Sequence, residues 1–328
     1  MLRATLSLVI LSLALLLSLG ISLTTGPYDI GPGQVWNALF SASAEDIHRT
    51  IVQEIRLPRS LLALLVGAAL SVAGAAFQAV LRNPLADPYI LGVSGGAALG
   101  AVSAFALGMW LTFSVPVLAF GGALLALLVV YLVGGTQRTA APTLILAGVM
   151  VGSLAAALLL FVLWSMPADS VRGAIFWLAG DLSAENTRWL LPGAVGVLLA
   201  CGGLWLMAPA LDIFTQGEES AADLGLSVAW ARLGIFFAAG LLTATAVALA
   251  GLIGFVGLVI PHVVRLLWGP NHRFLLPASA LLGATFLLLA DTIARTIFAP
   301  AQLPVGVITA IIGAPCFLYL LRRREVHL

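Results

Sequence analysis

Apolar residues along this chain run in blocks about as long as a bilayer is thick, and each block is closed by arginine, proline or glycine. The blocks fall at 5–24, 60–81, 90–108, 116–134, 143–164, 189–207, 230–249, 252–268, 276–297 and 304–321. Lipid satisfies no backbone donor or acceptor, so a run of roughly 20 apolar residues survives there as a helix. The pattern predicts an all-α, polytopic membrane protein with ten transmembrane helices in a single domain, 1–328. Arg3 precedes the first block, Leu6–Leu23, and no small-residue cleavage site follows it, so it reads as a retained helix. Three intervals are long enough to fold outside the bilayer: 26–59, 165–188 and 208–228.

Composition agrees. Of 328 residues, 61% are hydrophobic and 9% charged, with mean hydropathy +1.11. Soluble domains carry about 25% charge, and so few charges could not cover a water-exposed surface. A net charge of +1 provides no cationic field for nucleic acid. All 15 basic residues are arginine. Without lysine the chain has no Walker A loop and no Schiff-base chemistry, so ATP that drives it must be hydrolysed on another subunit. Cys201 and Cys316 sit in apolar runs as packing residues, and His48, His262, His272 and His327 lack metal-ligand spacing.

With a cytoplasmic N-terminus, Arg3, Arg82, Arg138, Arg232, Arg265, Arg273 and Arg322–Arg324 lie inside. Arg49, Arg56, Arg59, Arg172, Arg188 and Arg295 lie outside. Nine against six, with three arginines closing the last span, places both termini in the cytoplasm. Trp36, Trp110, Trp164, Trp177 and Trp189 fit an aromatic belt, and Phe176–Trp177 a short interfacial helix.

Two apolar stretches are interrupted. RNPLADPYILGVSGG at 82–96 carries Pro84, Pro88, Gly92 and Gly96; GLIGFVGLVIPH at 251–262 carries Gly254, Gly257 and Pro261. Broken helices inside a bundle are a mark of transporters. Small residues four apart, such as Gly67, Ser71 and Ala75, predict close helix packing.

The inside loop 208–228 is acidic, with Asp212, Glu218, Glu219 and Asp223 around Gly217 and Gly225. That charge suits docking into a partner's groove; a solvated connector is the alternative. Arg56, Arg59 and Arg295 form either headgroup anchors or a positive rim for a soluble partner. Asp291 and Arg295 are four apart and able to pair. No span carries the buried carboxylate chain of a proton-coupled carrier, a carbonyl filter or a nucleophile elbow.

The segments IRLPRSLLALLVGAALSVAGAAFQAVLRNPLADPYILGVSGGA at 55–97, GLIGFVGLVIPHVVR at 251–265, LLLADTIAR at 287–295 and LPVGVITAIIGAPCFLYLL at 303–321 carry a resemblance. The chain resembles the ten-span FecCD permease subunits of bacterial ABC importers for iron chelates, haem and vitamin B12. The resemblance implies the type II importer permease fold of the B12 permease and a homodimer in the cell inner membrane. It implies two copies of an ABC ATPase that bind the ATP and Mg, and a substrate-binding protein on the outer face. No cofactor or metal is expected on this chain. Phe214, Gln216, Glu218, Glu219, Asp223, Leu224 and Gly225 match the ATPase-coupling loop. Arg56, Arg59 and Arg295 match the binding-protein contacts, and Met150, Ser153, Trp164, Met166 and Asp169 fall in the path and gate, 143–180. The expected substrate is an iron-siderophore or haem, the class with more members, with cobalamin the alternative. An ion-coupled secondary carrier acting alone is the rival class.

Overall fold

A computed structural model of the chain describes residues 2–41, 45–108, 113–134, 141–183, 189–217, 221, 223 and 227–325. Among these the regular structure is helical. Helix α1 spans Leu2–Thr24, α2 Pro32–Phe40 and α3 Asp46–Arg49. A wide π-type turn, Thr50–Arg56, carries α3 into α4, Leu57–Val80. A 3-10 turn at Pro88–Leu91 precedes α5, Val93–Ala106. Then come α6 (Ser114–Gly134), α7 (Ala141–Ser165), α8 (Ala168–Leu178), α9 (Leu190–Leu206) and α10 (Ala208–Phe214). The chain closes with α11 (Val228–Ala250), α12 (Val256–Trp268), α13 (His272–Ala294) and α14 (Val305–Glu325).

Helix α4 is the axle of the bundle. It is buried almost continuously from Val66 to Val80, and α11, α12 and α13 pack around it. Close packing without a hydrophobic driving force needs small residues, and α4 supplies them. A Cβ on Gly67 would strike the carbonyl of Gly283 in α13, and one on Gly74 the carbonyl of Gly257 in α12. Helices α5 and α6 meet in the same way, Gly96 against Gly122. Outside this core, Leu23, Ile30, Val35, Ala38 and Val52 form a small second cluster that seats α2 and the Thr50–Arg56 turn over the end of α1.

Each of the ten apolar blocks coincides with a helix, but the described helices are not ten full-length spans. Six are long and apolar enough to cross a membrane: within Arg3–Thr24, Asp46–Val80, Ser114–Gly134, Pro142–Ser165, Val228–Ala250 and His272–Thr296. A seventh arises if α9 and α10, bent by 60°, count as one span. The apolar parts of α5, α12 and α14 are shorter. Irregular chain at 82–92, 251–255 and beyond Ala294 takes up residues that the blocks placed in spans.

The helix breaks are corrected at three positions. Gly96 lies inside α5 as a close-contact residue, and Gly257 and Pro261 lie inside α12. A helical proline leaves the carbonyl four residues earlier without its partner. Here that carbonyl is on Gly257, and the Gln78 side chain reaches it (Nε2 to O, 3.5 Å) and the neighbouring Leu258 carbonyl (3.2 Å). Pro84 and Pro88 do lie in the break before α5, Gly92 ends it in a left-handed conformation (φ +74°), and Gly254 lies in the break before α12.

Candidate functional site

The two breaks meet. After Ala250, Gly251 takes φ +68°, the chain runs irregularly to Phe255 (φ +69°), and α12 begins. Its polar backbone lies among apolar helices and needs internal partners. Tyr89, from the other break, supplies both: its hydroxyl donates to the Ile253 carbonyl (3.1 Å) and accepts from the Ile253 N–H (2.9 Å). The Ala250 carbonyl accepts from the Asp181 N–H (2.8 Å), and the Gly180 carbonyl from the Val305 N–H (3.2 Å). Gln78 joins the junction to the end of α12, its Oε1 accepting from Arg265 Nη1 (3.0 Å). Asp87 caps the Pro88–Leu91 turn, Oδ1 accepting from the Tyr89 N–H (2.8 Å).

Arg56, Arg59 and Arg295 form a second cluster. Asp291, buried in α13, receives Arg59 through Nε (3.1 and 3.0 Å to its two oxygens) and Nη2 (2.8 Å). Arg59 Nη1 also donates to Gln302 Oε1 (2.7 Å). The expected Asp291–Arg295 pair is present at 3.7 Å, secondary to Arg59. Arg295 Nη2 turns instead to the Ser22 carbonyl and its Oγ (2.8 Å), and Ser22 Oγ bonds Ser60 Oγ (2.8 Å). Arg56 caps the end of α1: it donates to the carbonyls of Leu23 (2.6 Å), Thr24 (2.9 Å) and Tyr28. The picture of three arginines on an open rim is therefore corrected. Arg56 and Arg295, 4% and 5% exposed, are spent on the chain's own carbonyls, because helix ends leave acceptors that burial makes costly.

At the opposite end, α9 bends into α10 and the chain enters the acidic loop. Phe214 is buried, so it packs the loop's root and presents nothing outward. Gln216 and Asp223 are exposed, and Gly217 takes φ +117°. Glu218, Glu219, Leu224 and Gly225 lie outside the described residues. Sequence patterning did not single out Asp212 as a tether. Its Oδ1 accepts from the backbone N–H of His272 (2.9 Å) and pairs with His272 Nδ1 (2.6 Å). Nearby, Trp205 Nε1 donates to the Arg273 carbonyl (3.2 Å).

Helices α7 and α8 carry the expected path residues. Along α7, Leu146, Met150, Leu154, Phe161 and Trp164 are exposed, Trp164 at 92%. Ser153 is exposed too, but its hydroxyl donates to the Val149 carbonyl within the helix (2.8 Å). Met166 is half-buried in the turn before α8, and Asp169 is exposed in its first turn. Of the belt tryptophans, Trp36 is exposed, Trp189 half-buried and Trp177 buried in α8's inner face; Trp110 lies outside the described residues.

Gln78 and Tyr89 were missed as working residues, although a glutamine and a tyrosine beside apolar, glycine-rich spans were signal enough.

A bundle of membrane-length helices around a small-residue axle, with paired helix breaks and largely uncovered apolar helices at its margin, defines a multi-pass membrane permease. The chain belongs to the FecCD transport family, whose model matches residues 13–323. It is 44% identical over 299 residues to an ABC transporter permease protein of Bacillus subtilis (strain 168), covering 88% of this chain and 84% of that one. It is 43% identical over 308 residues to the cobalamin import system permease protein of Halobacterium salinarum, covering 91% and 82%. The fold matches a solved structure described as an inward-facing conformation of a metal-chelate type ABC transporter. The TM-score is 0.86 and the identity 33%, over 97% of this chain and 99% of that one.

Proposed function

We propose that this chain is the permease subunit of an ABC importer, forming as a homodimer the path for a bulky metal chelate through the cell membrane. The observation that carries the reading is the fold match to a metal-chelate type ABC transporter over 97% of the chain. In this reading the chain is one transmembrane permease domain with both termini cytoplasmic. All ten apolar helices span, the short α5, α12 and α14 being completed by the irregular segments beside them.

Two ATPase copies, which carry the ATP and Mg, bind beneath the acidic loop through Gln216, Glu218, Glu219 and Asp223. A substrate-binding protein docks on the outer face. Arg59, half-buried where Arg56 and Arg295 are buried, is the arginine best placed to meet a carboxylate there, and it would do so by sharing or leaving its bonds to Asp291 and Gln302. Helix α7 turns its apolar face, with Met150 and Trp164, to the path and the second copy, and α8 gates the outer end. Such a wall contacts a large chelate without reading its chemistry, which leaves selection to the binding protein. The chain performs no covalent step; its part is rigid-body alternation at the dimer interface.

Within the metal-chelate class, cobalamin gains support from the Halobacterium relative, and an iron-siderophore or haem is the second reading, favoured by the matched transporter's metal-chelate type. Uptake by proteoliposomes holding this chain and its ATPase, supplied with the binding protein and labelled cobalamin, haem or ferric siderophore, tests both levels. The expected result is uptake of one of them that requires ATP and the ATPase's P-loop lysine. Ion-gradient-driven uptake by this chain alone would replace the proposal with the secondary carrier.

A further inference from the structure

Helix α13 is held at its inner end to the segment that leads into the acidic loop. Asp212 lies on α10, beyond the 60° bend that follows α9 and before the left-handed Gly217. Between those two pivots Leu211 and Phe214 pack α10 into the core, and apolar packing is non-directional. One carboxylate oxygen of Asp212 adds a directional tie, taking both the backbone N–H of His272, the first residue of α13, and its ring Nδ1. The N–H is an orphan donor of the helix start, and the carboxylate meets the positive end of the helix dipole. Bonds to an ionised oxygen are short and strong, and His272 is fully buried, so water does not compete at its end of the pair. Trp205 on α9 adds a second tie, to the carbonyl of Arg273.

From there α13 stays helical through Pro277, whose missing N–H frees the Arg273 carbonyl that Trp205 takes, and runs along α4, pressed on it at Gly283 and Gly67, to Asp291 and the Arg59 cluster at the outer end. A push on the acidic loop that would otherwise be absorbed by bending is thereby passed into a rod that reaches the other face.

We infer that Asp212 is a positioning residue that locks the ATPase-facing loop to α13 through His272, so that loop movement becomes movement of α13. The inference rests on the permease reading above.

The test measures substrate imported per ATP hydrolysed by the reconstituted complex carrying Asp212→Ala, Asp212→Asn or His272→Gln. Asp212→Ala is expected to lower that ratio about tenfold, with the ATPase still co-purifying at the wild-type ratio. Asp212→Asn keeps the Oδ1 acceptor and is expected to hold the ratio within about threefold of wild type. His272→Gln keeps the backbone bond and loses the ring, which places it between the two. An unchanged ratio in Asp212→Ala and His272→Gln overturns the inference, as does a loss of ATPase binding in step with coupling that Asp212→Asn fails to restore. If Asp212→Ala does not assemble, His272→Gln decides: a wild-type ratio there overturns the lock. A wild-type complex that imports nothing with ATP is a different outcome and overturns the permease reading instead.

Discussion

Asp291 shows how a charge is afforded inside a lipid-soluble bundle. Its carboxylate is buried, and Arg59 reaches it from a helix far away in sequence, with Arg295 beside it. Removing one partner of such a pair leaves an uncompensated charge at a cost of about 3–5 kcal/mol, whereas replacing both with apolar residues is far milder. Arg59→Ala should therefore lower the thermal unfolding midpoint in detergent sharply. The pair Arg59→Met with Asp291→Leu should recover most of the loss; equal loss in the single and double variants would contradict that account.

Among the elements, the glycines divide by what stands opposite them. A Cβ at Gly67 would enter the backbone of α13, and one at Gly257 would meet Pro88 and the Leu70 carbonyl, whereas at Gly254 no heavy atom lies within 4 Å. Gly67→Val and Gly257→Ala should cut the yield of folded protein, and Gly254→Ala should express and melt like the wild type. Size-exclusion profiles of the three decide it.

The same contrast shows what could be read from the chain alone. The apolar blocks fixed the helices to within a few residues, because a lipid-facing run needs no partner to be recognised. Gly96 and Gly254 look alike in sequence, yet one seats a neighbouring helix and the other sits in a break, and only the facing backbone separates them. Arg56 read as an outward charge because its acceptors are carbonyls, which every residue has and no pattern marks. The Asp212–His272 tie joins residues 60 apart, with no periodicity to connect them.

At the scale of the whole molecule, an exposed apolar face in a membrane bundle is covered by lipid, by the path or by a second copy. Helix α7 leaves Leu154 and Phe161 uncovered, as α1 leaves Leu13 and Leu17, where α4 leaves almost nothing. If that face borders the path and the second copy, Phe161→Asp should abolish uptake while the ATPase still co-purifies. Wild-type uptake in that variant would move the path elsewhere.

The central claim is that this chain opens a path whose energy comes from a separate ATPase, and one measurement addresses it directly. Proteoliposomes containing the permease and its ATPase, with binding protein outside and ATP inside, are assayed for labelled cobalamin, haem and ferric siderophore. The account predicts accumulation of one chelate that stops when the ATPase loses its P-loop lysine. Accumulation that survives that loss, or that this chain supports alone from an ion gradient, would contradict it.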